Sequence, residues 1–287
     1  MGAEPELEPL VEALDDLPAP NLLVVTGAGI SLASGIPTFR GPDPGAVWSE
    51  SVTRVGTFEF FERDPVASWR WYLERFDGLG AKEPNPGHRA LAALEAFYAA
   101  RRGEFLLVTQ NVDGLHRRAG SHALVEIHGR ADRVRCVERW CTFGAPEGWL
   151  PRAEVDFEPF RADPCRATLP TCPECGSLIR AHVLWFDETY GQHLDYGYLR
   201  AREAASSFEL ALFVGTSFSV GITNLLLQQG LARECPMFVI DPGDAPDLEA
   251  HYSGHFGGRF PPARLTHLQA QAEVVLPALC RELGVSA

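Results

Sequence analysis

TGAGISLASGIPTFRG, residues 26–41, follows directly on the apolar run Leu22-Leu23-Val24-Val25. A short apolar run ending in a glycine-rich turn reads as a buried strand that delivers a loop to a ligand. Gly27, Gly29 and Gly35 give G-x-G-x5-G, wider than the G-x-G-x-x-G of dinucleotide folds. Glycines there let a backbone approach a pyrophosphate, and a helix opening after Gly29 offers it unpaired N–H groups. Arg40 adds a cation suited to phosphate. Phe39 has the composition of a core residue. On the glycines alone, a tight strand–helix turn is an equal reading.

Working outward, four more apolar runs read as buried strands: Phe105–Val108, Leu124–Ile127, Leu210–Val214 and Met237–Ile240. A helical pattern spans His88–Ala100, and each strand is followed by a polar or glycine-rich turn: TGAG, TQNVDG, HG, GTS and DPGD. Buried strands alternating with helices predict an α/β fold, a Rossmann-like parallel sheet whose turns converge on one cleft. Two segments break the alternation. Residues 42–87 carry the aromatic helical stretch VASWRWYLERF, and residues 131–180 carry clustered cysteines and prolines. The expected organisation is a discontinuous nucleotide-binding domain (1–41, 88–130 and 181–287), a helical insertion (42–87) and a metal-binding subdomain (131–180).

With 287 residues there is ample chain for such a core, and 46% hydrophobic with 22% charged residues suits a globular protein. A net charge of −13 disfavours general nucleic-acid binding. No run of 18 apolar residues suggests a membrane span, and the acidic start MGAEPELEPL suggests a cytoplasmic protein.

Cys136-x4-Cys141 and, 30 residues later, Cys172-x2-Cys175 have the spacing of a closed, tetrahedral four-thiolate zinc site that holds structure. Cys165 competes with Cys141 as a ligand, and four unligated thiols are the bland alternative. In TQNVDGLH, residues 109–116, Gln110, Asn111 and Asp113 gather hydrogen-bonding groups at a strand's carboxyl end. A site gripping a carboxamide and a ribose needs such a set. VEIHGR then puts His128 just past another strand.

GAGIS, GIPTFRG, TQNVDGLH, EIHG, the cysteine pairs, HVLWFDE and GTSFSV occur in this order. Over residues 20–242 the chain therefore resembles the sirtuins, NAD-dependent protein-lysine deacylases. The resemblance implies that Gly27, Ala28, Gly29, Ile30, Thr38, Phe39 and Arg40 hold NAD, with Phe39 shielding the reactive ribose. It implies that Gln110 meets the nicotinamide ribose, that Asn111 and Asp113 line the nicotinamide pocket, and that His128 is the general base. Asn111 and His128 are then the catalytic pair. Gly215, Thr216, Ser217 and Asp241 take the adenosine half. Val183, Trp185 and Phe186, within His182–Glu188, face a substrate peptide that adds as a strand opposite Phe218–Gly221. A base with a pKa of about 6 to 7 suits proton transfer at neutral pH.

The loop has Thr38 where most of the family has aspartate. The TFR form, together with Tyr72 and Arg75 one helical turn apart, resembles the branch that removes acidic acyl groups. Arg75 would then hold a distal carboxylate with Tyr72 beside it. A surface Tyr/Arg pair is the alternative. Two residues depart from the family pattern. Asp187 replaces a glycine beside the substrate strand, which suggests a preference for basic flanking residues. Asp241 replaces an asparagine at the adenine ribose. Competing functions are deacetylation or long-chain deacylation, ADP-ribosyl transfer or NAD hydrolysis, and a noncatalytic NAD module.

Overall fold

The fold follows from where the apolar strands pair. The structure is a computed structural model that describes residues 7–15, 21–38, 50–218, 220–244 and 265–286. In chain order the helices are α1 (Glu8–Asp15), α2 (Glu50–Val55), α3 (Phe58–Arg63), α4 (Pro65–Phe76), α5 (Pro86–Ala100), α6 (Leu115–Arg118), α7 (Glu158–Ala162), α8 (Tyr198–Ala205), α9 (Gly221–Ala232) and α10 (Ala272–Glu282). The strands are β1 (Leu22–Thr26), β2 (Phe105–Thr109), β3 (Leu124–Glu126), β4 (Gly129–Cys136), β5 (Leu150–Pro151), β6 (Ile179–Val183), β7 (Leu210–Val214), β8 (Met237–Ile240) and β9 (Leu265–Leu268).

The main sheet runs β3-β2-β1-β7-β8-β9, and all its pairings are parallel. Every residue of β1, β2 and β7 is buried, as strands covered on both faces must be. Alternation sends Leu22 and Val24 to a core with α1, α5 and α10, and Leu23 and Val25 to a core with α8 and α9. Each fully buried leucine or valine contributes about 1.5–3 kcal/mol. The chain order reverses at β1, with β2 on one side and β7 on the other. That is the switch point where open α/β sheets bind ligands.

A second, antiparallel sheet, β5-β4-β6, shares a third core with α3 and α4. Trp69, Tyr72, Leu73 and Phe76 of α4 pack with Val134, Cys136, Cys172, Ile179 and Trp185, and the Trp69 indole donates to the Ile179 carbonyl at 2.9 Å. The helical insertion and the cysteine-rich segment therefore form one packed unit, and β6 crosses the expected limit at residue 180.

Helix α4 begins where Asp64 caps the Ala67 N–H at 2.9 Å and Pro65 fills the first turn. The turn after β1 is tighter than expected: Ala28–Ser34 is a 3-10 helix, closed by Gly35 at φ 74°.

Candidate active site

The loops after β1, β2, β3 and β7 meet at the switch point. Gly27 and Gly29 work differently from the expectation that they make room for a pyrophosphate. A Cβ on Gly27 would lie 2.6 Å from the Gly215 carbonyl oxygen, and one on Gly29 would lie 2.6 Å from the Gly215 Cα. The Gly29 N–H already donates to Gly215 at 3.0 Å, so it is not free for a phosphate. Gly215 itself has φ 58°, and a Cβ there would meet the Ile30 nitrogen at 2.5 Å. These glycines press the two loops together, setting Gly27 against Gly215 and Thr216, and Gly29 and Ile30 against Gly215.

The polar groups of the β2 loop form one network. Asn111 Nδ2 donates to the Gly27 carbonyl at 2.9 Å and to Ser31 Oγ at 3.1 Å. The Ser31 hydroxyl donates to Asp113 Oδ2 at 2.8 Å, and the Leu115 N–H donates to Oδ1 at 2.8 Å. Gln110 Nε2 donates to Thr216 Oγ1 at 3.0 Å, joining the β2 and β7 loops. Burial raises the Asp113 carboxyl, while the Leu115 N–H and the Ser31 hydroxyl draw it back.

Beneath them lies a relay that residue patterns gave no sign of. The His116 ring nitrogen Nε2 sits 2.9 Å from Thr26 Oγ1, which donates to Thr109 Oγ1 at 2.8 Å. Thr109 Oγ1 in turn accepts the Asn111 N–H at 3.1 Å.

His128 follows β3 and opens β4. Its Nδ1 faces the Gln110 carbonyl at 3.1 Å, and Nε2 lies 3.2 Å from the Tyr190 hydroxyl. Burial pushes the imidazole down to about 4, against the opposing pull of the Gln110 carbonyl. That lies below the range of about 6 to 7 that suits a base at neutral pH. The base needs no raised pH to stay neutral, because the desolvated site disfavours its charged form. Gly129 beside it has φ 84°, and a Cβ there would lie 2.2 Å from the His182 carbonyl oxygen.

The expected substrate residues separate. Val183 and Trp185 are buried in the core shared with α4, while Phe186 is exposed. The Trp185 indole donates to the Tyr72 hydroxyl, and the Arg180 guanidinium lies 3.4 Å above the Trp185 ring centroid. Arg75 turns back along its own helix, 3.9 Å above the Trp71 ring centroid, and donates to the Trp71 carbonyl at 3.2 Å. Tyr72 and Arg75 thus turn to different partners. Arg75 Nε is buried with no protein acceptor.

Asp187 does not point toward a peptide. Its carboxylate accepts the Phe58 and Glu59 N–H groups at 2.8 and 3.1 Å, capping α3. Asp241 turns inward to its own loop, accepting the Gly243 N–H at 2.8 Å. Of the remaining expected residues, Thr38 is half-buried, Thr216 is buried and Ser217 is exposed. Phe39 and Arg40 lie outside the described residues.

The four cysteine sulfurs lie within 4.8 Å of one another, with Cys136 and Cys175 3.4 Å apart and Cys141 and Cys172 3.6 Å apart. Tetrahedral Zn–S bonds of ~2.3 Å place sulfurs about 3.8 Å apart, so this set fits zinc. Cys141 completes it; the Cys165 sulfur faces Asp163 and Thr168 instead.

A parallel sheet that gathers amide, carboxylate and imidazole at its switch point, with a four-thiolate lobe alongside, defines an α/β enzyme that works on a nucleotide-like ligand. The Sir2 family model matches residues 27–221, and the chain belongs to that family. It is 38% identical over 229 residues to an NAD-dependent protein deacylase of Thermus thermophilus, covering 79% of this chain and 82% of the relative. It is 34% identical over 270 residues to the mitochondrial NAD-dependent protein deacylase sirtuin-5 of Danio rerio, covering 87% and 84%. A Sir2 homologue solved in complex with NAD superposes with a TM-score of 0.75 at 28% identity, covering 99% of this chain and 96% of that one. A Sir2 structure with p53 peptide and NAD gives 0.74 at 25% identity, covering 97% and 99%.

Proposed function

We infer that this chain is an NAD-dependent protein-lysine deacylase that yields nicotinamide, O-acyl-ADP-ribose and free lysine, with a preference for succinyl-, malonyl- or glutaryl-lysine. The observation that carries the activity is the Asn111–Ser31–Asp113 network beside His128 at the switch point. The family and the names of the relatives support it.

NAD supplies an electrophilic ribose carbon once its nicotinamide bond breaks. The protein's part is to hold and to exclude. Asn111 and Asp113, rigid through Ser31, present an amide and a carboxylate to the nicotinamide carboxamide. Gln110 and Thr216 bridge the loops over the ribose. The loop 27–30, with Thr38, Phe39 and Arg40, encloses the cofactor, and Gly215, Ser217 and Asp241 take its adenosine half. His128 accepts a ribose proton at Nε2, since the Gln110 carbonyl fixes the other proton on Nδ1. Cys136, Cys141, Cys172 and Cys175 hold a zinc ion that stabilises the small lobe and takes no part in the chemistry.

The acidic-acyl preference rests on Arg75, whose Nε is a buried donor with no protein acceptor. A distal carboxylate would satisfy it. The partners are acyl-lysine-bearing proteins or peptides that meet the exposed Phe186 and the backbone beside the buried Val183 and Trp185. The net charge of −13 argues against nucleic acid. Seven free cysteines, four gathered at one site, support a reducing, cytoplasmic setting. We propose a nucleotide-binding body (1–41, 88–130, 181–287) whose insertions at 42–87 and 131–180 pack as one small unit, with β6 running past residue 180.

Mass spectrometry of products from NAD and matched acetyl-, succinyl- and malonyl-lysine peptides tests both levels. O-acyl-ADP-ribose is expected, most from the acidic peptides. Free ADP-ribose with intact acyl-lysine would overturn deacylation. Equal turnover of acetyl and succinyl peptides would overturn the preference.

A further inference from the structure

Tyr190 lies outside every motif in the chain, yet it is the side chain that meets the working nitrogen of His128. Its hydroxyl is 3.2 Å from Nε2, and the two rings are nearly parallel, 13° apart with centroids at 6.0 Å. Tyr198 stacks behind Tyr190 at 4.9 Å and 11°, so its ring is held on both sides. The direction of each hydrogen bond follows from the donors available. The Gln110 carbonyl can only accept, so Nδ1 carries the imidazole proton and Nε2 the lone pair. An unprotonated Nε2 can only accept, so the Tyr190 O–H is the donor of this contact. Tyr190 packs at the start of α9, where Ile222 and Gly221 border the same cavity. That cavity, of about 360 Å³ and bordered also by Tyr198, Asn224 and Gln228, gives the hydroxyl space to move off Nε2.

We propose that Tyr190 is a positioning residue for the base. Its hydroxyl holds the imidazole with Nε2 as the acceptor, and it yields that lone pair when a ribose hydroxyl arrives. The proposal rests on the deacylase reading above. In the step itself the proton passes from the ribose oxygen to Nε2. The electron pair left on that oxygen forms its bond to the acyl carbon of the imidate, whose C=N π pair moves onto the lysine nitrogen. Tyr190 stays neutral throughout.

Tyr190→Phe removes the hydroxyl and keeps the stacked ring. Two activities separate its role from packing: nicotinamide exchange into NAD with an acyl peptide, which precedes the base, and O-acyl-ADP-ribose formation, which needs it. The expected result is exchange within twofold of the parent and O-acyl-ADP-ribose formation at saturating substrates slowed about fivefold or more, the effect of one hydrogen bond. Loss of both activities in parallel, or of neither, would overturn the proposal. Nitrogen-15 spectra of the histidine rings provide a readout independent of turnover. Tyr190→Phe should move the His128 Nε2 resonance toward that of an imine nitrogen accepting no hydrogen bond; an unmoved resonance would refute the contact. Should the parent exchange no nicotinamide with any acyl peptide, the deacylase reading fails and with it the mechanistic role, whereas the ring spectrum still decides the contact.

Discussion

Removing Glu188 should be among the most damaging single changes in this chain. Its carboxylate accepts from both terminal nitrogens of Arg180, and Oε2 also accepts the Trp185 N–H at 2.9 Å. Arg180 is only 3% exposed, sandwiched against Trp185, and donates to the Val183 carbonyl at 2.7 Å. Burial pushes the Glu188 carboxyl up, but His193 and Arg180 outweigh it and hold it well below the usual carboxylate range. Glu188→Ala leaves a guanidinium buried without its counter-charge, which costs about 3–5 kcal/mol. Glu188→Gln keeps an acceptor but loses charge assistance, at a cost of about 1.5–3 kcal/mol. The assay is urea denaturation at pH 7, where the carboxylate of the parent is fully ionised. A depressed folded-state pKa gives stability that is present above the unfolded value of ~4.5 and lost as pH falls below it. The double variant Arg180→Met/Glu188→Leu should recover much of the loss, because no unpaired charge remains. A loss under about 1 kcal/mol in Glu188→Ala, or strictly additive single costs in the double variant, would refute the reasoning.

Four further outcomes follow from the geometry. Arg75→Met should cut desuccinylation at least tenfold while deacetylation stays within about threefold, because only the acidic acyl group loses a charge-assisted partner; equal losses on matched peptides would refute it. Gly129→Ala should abolish turnover and lower the melting temperature, since its Cβ would sit 2.2 Å from a carbonyl oxygen at φ 84°; normal activity would refute the clash. Burial holds His88, His128 and His182 down at about 4, so the unfolded chain binds more protons as pH falls below ~6.5. Unfolding free energy should then drop by up to about 1.4 kcal/mol per histidine per pH unit between pH 6.5 and 4, and a flat profile in denaturant titrations would refute it. Purified protein should carry roughly one zinc by atomic emission, and Cys175→Ser should lose most of it along with near-ultraviolet dichroism from the shared core.

The strands of the main sheet are legible in the sequence because burial on both faces makes them continuous apolar runs. Leu22–Val25, Phe105–Val108 and Met237–Ile240 match their observed strands to within a residue. Strand β9, LTHL, is not legible, since it is short, half-polar and identified only by its pairing with β8. The β4–β6 pairing is hidden for another reason: its partners are more than 40 residues apart, and its core comes partly from α4. Asn111, Asp113 and His128 are readable because they follow strands whose ends have to converge. Asp187 misleads because nothing local tells a helix cap from a ligand contact when the helix lies 128 residues away. Tyr190 and the buried Arg180–Glu188 pair share one difficulty. Their significance lies in their partners, and a tyrosine in DETYGQ shows only that it sits beside a segment assigned to substrate.

The core that joins α4 to Cys136 and Cys172 would couple a metal held by the thiolates to an acyl group held by Arg75 as proposed above. Any ligand that orders α4 through Arg75 draws on the same packing that the four thiolates need in order to converge. Linkage then requires reciprocity: the factor by which bound metal raises affinity for an acidic acyl-lysine is the factor by which that acyl-lysine raises affinity for the metal. A metal remote from the reacting atoms would in this way influence how tightly the proposed substrate binds.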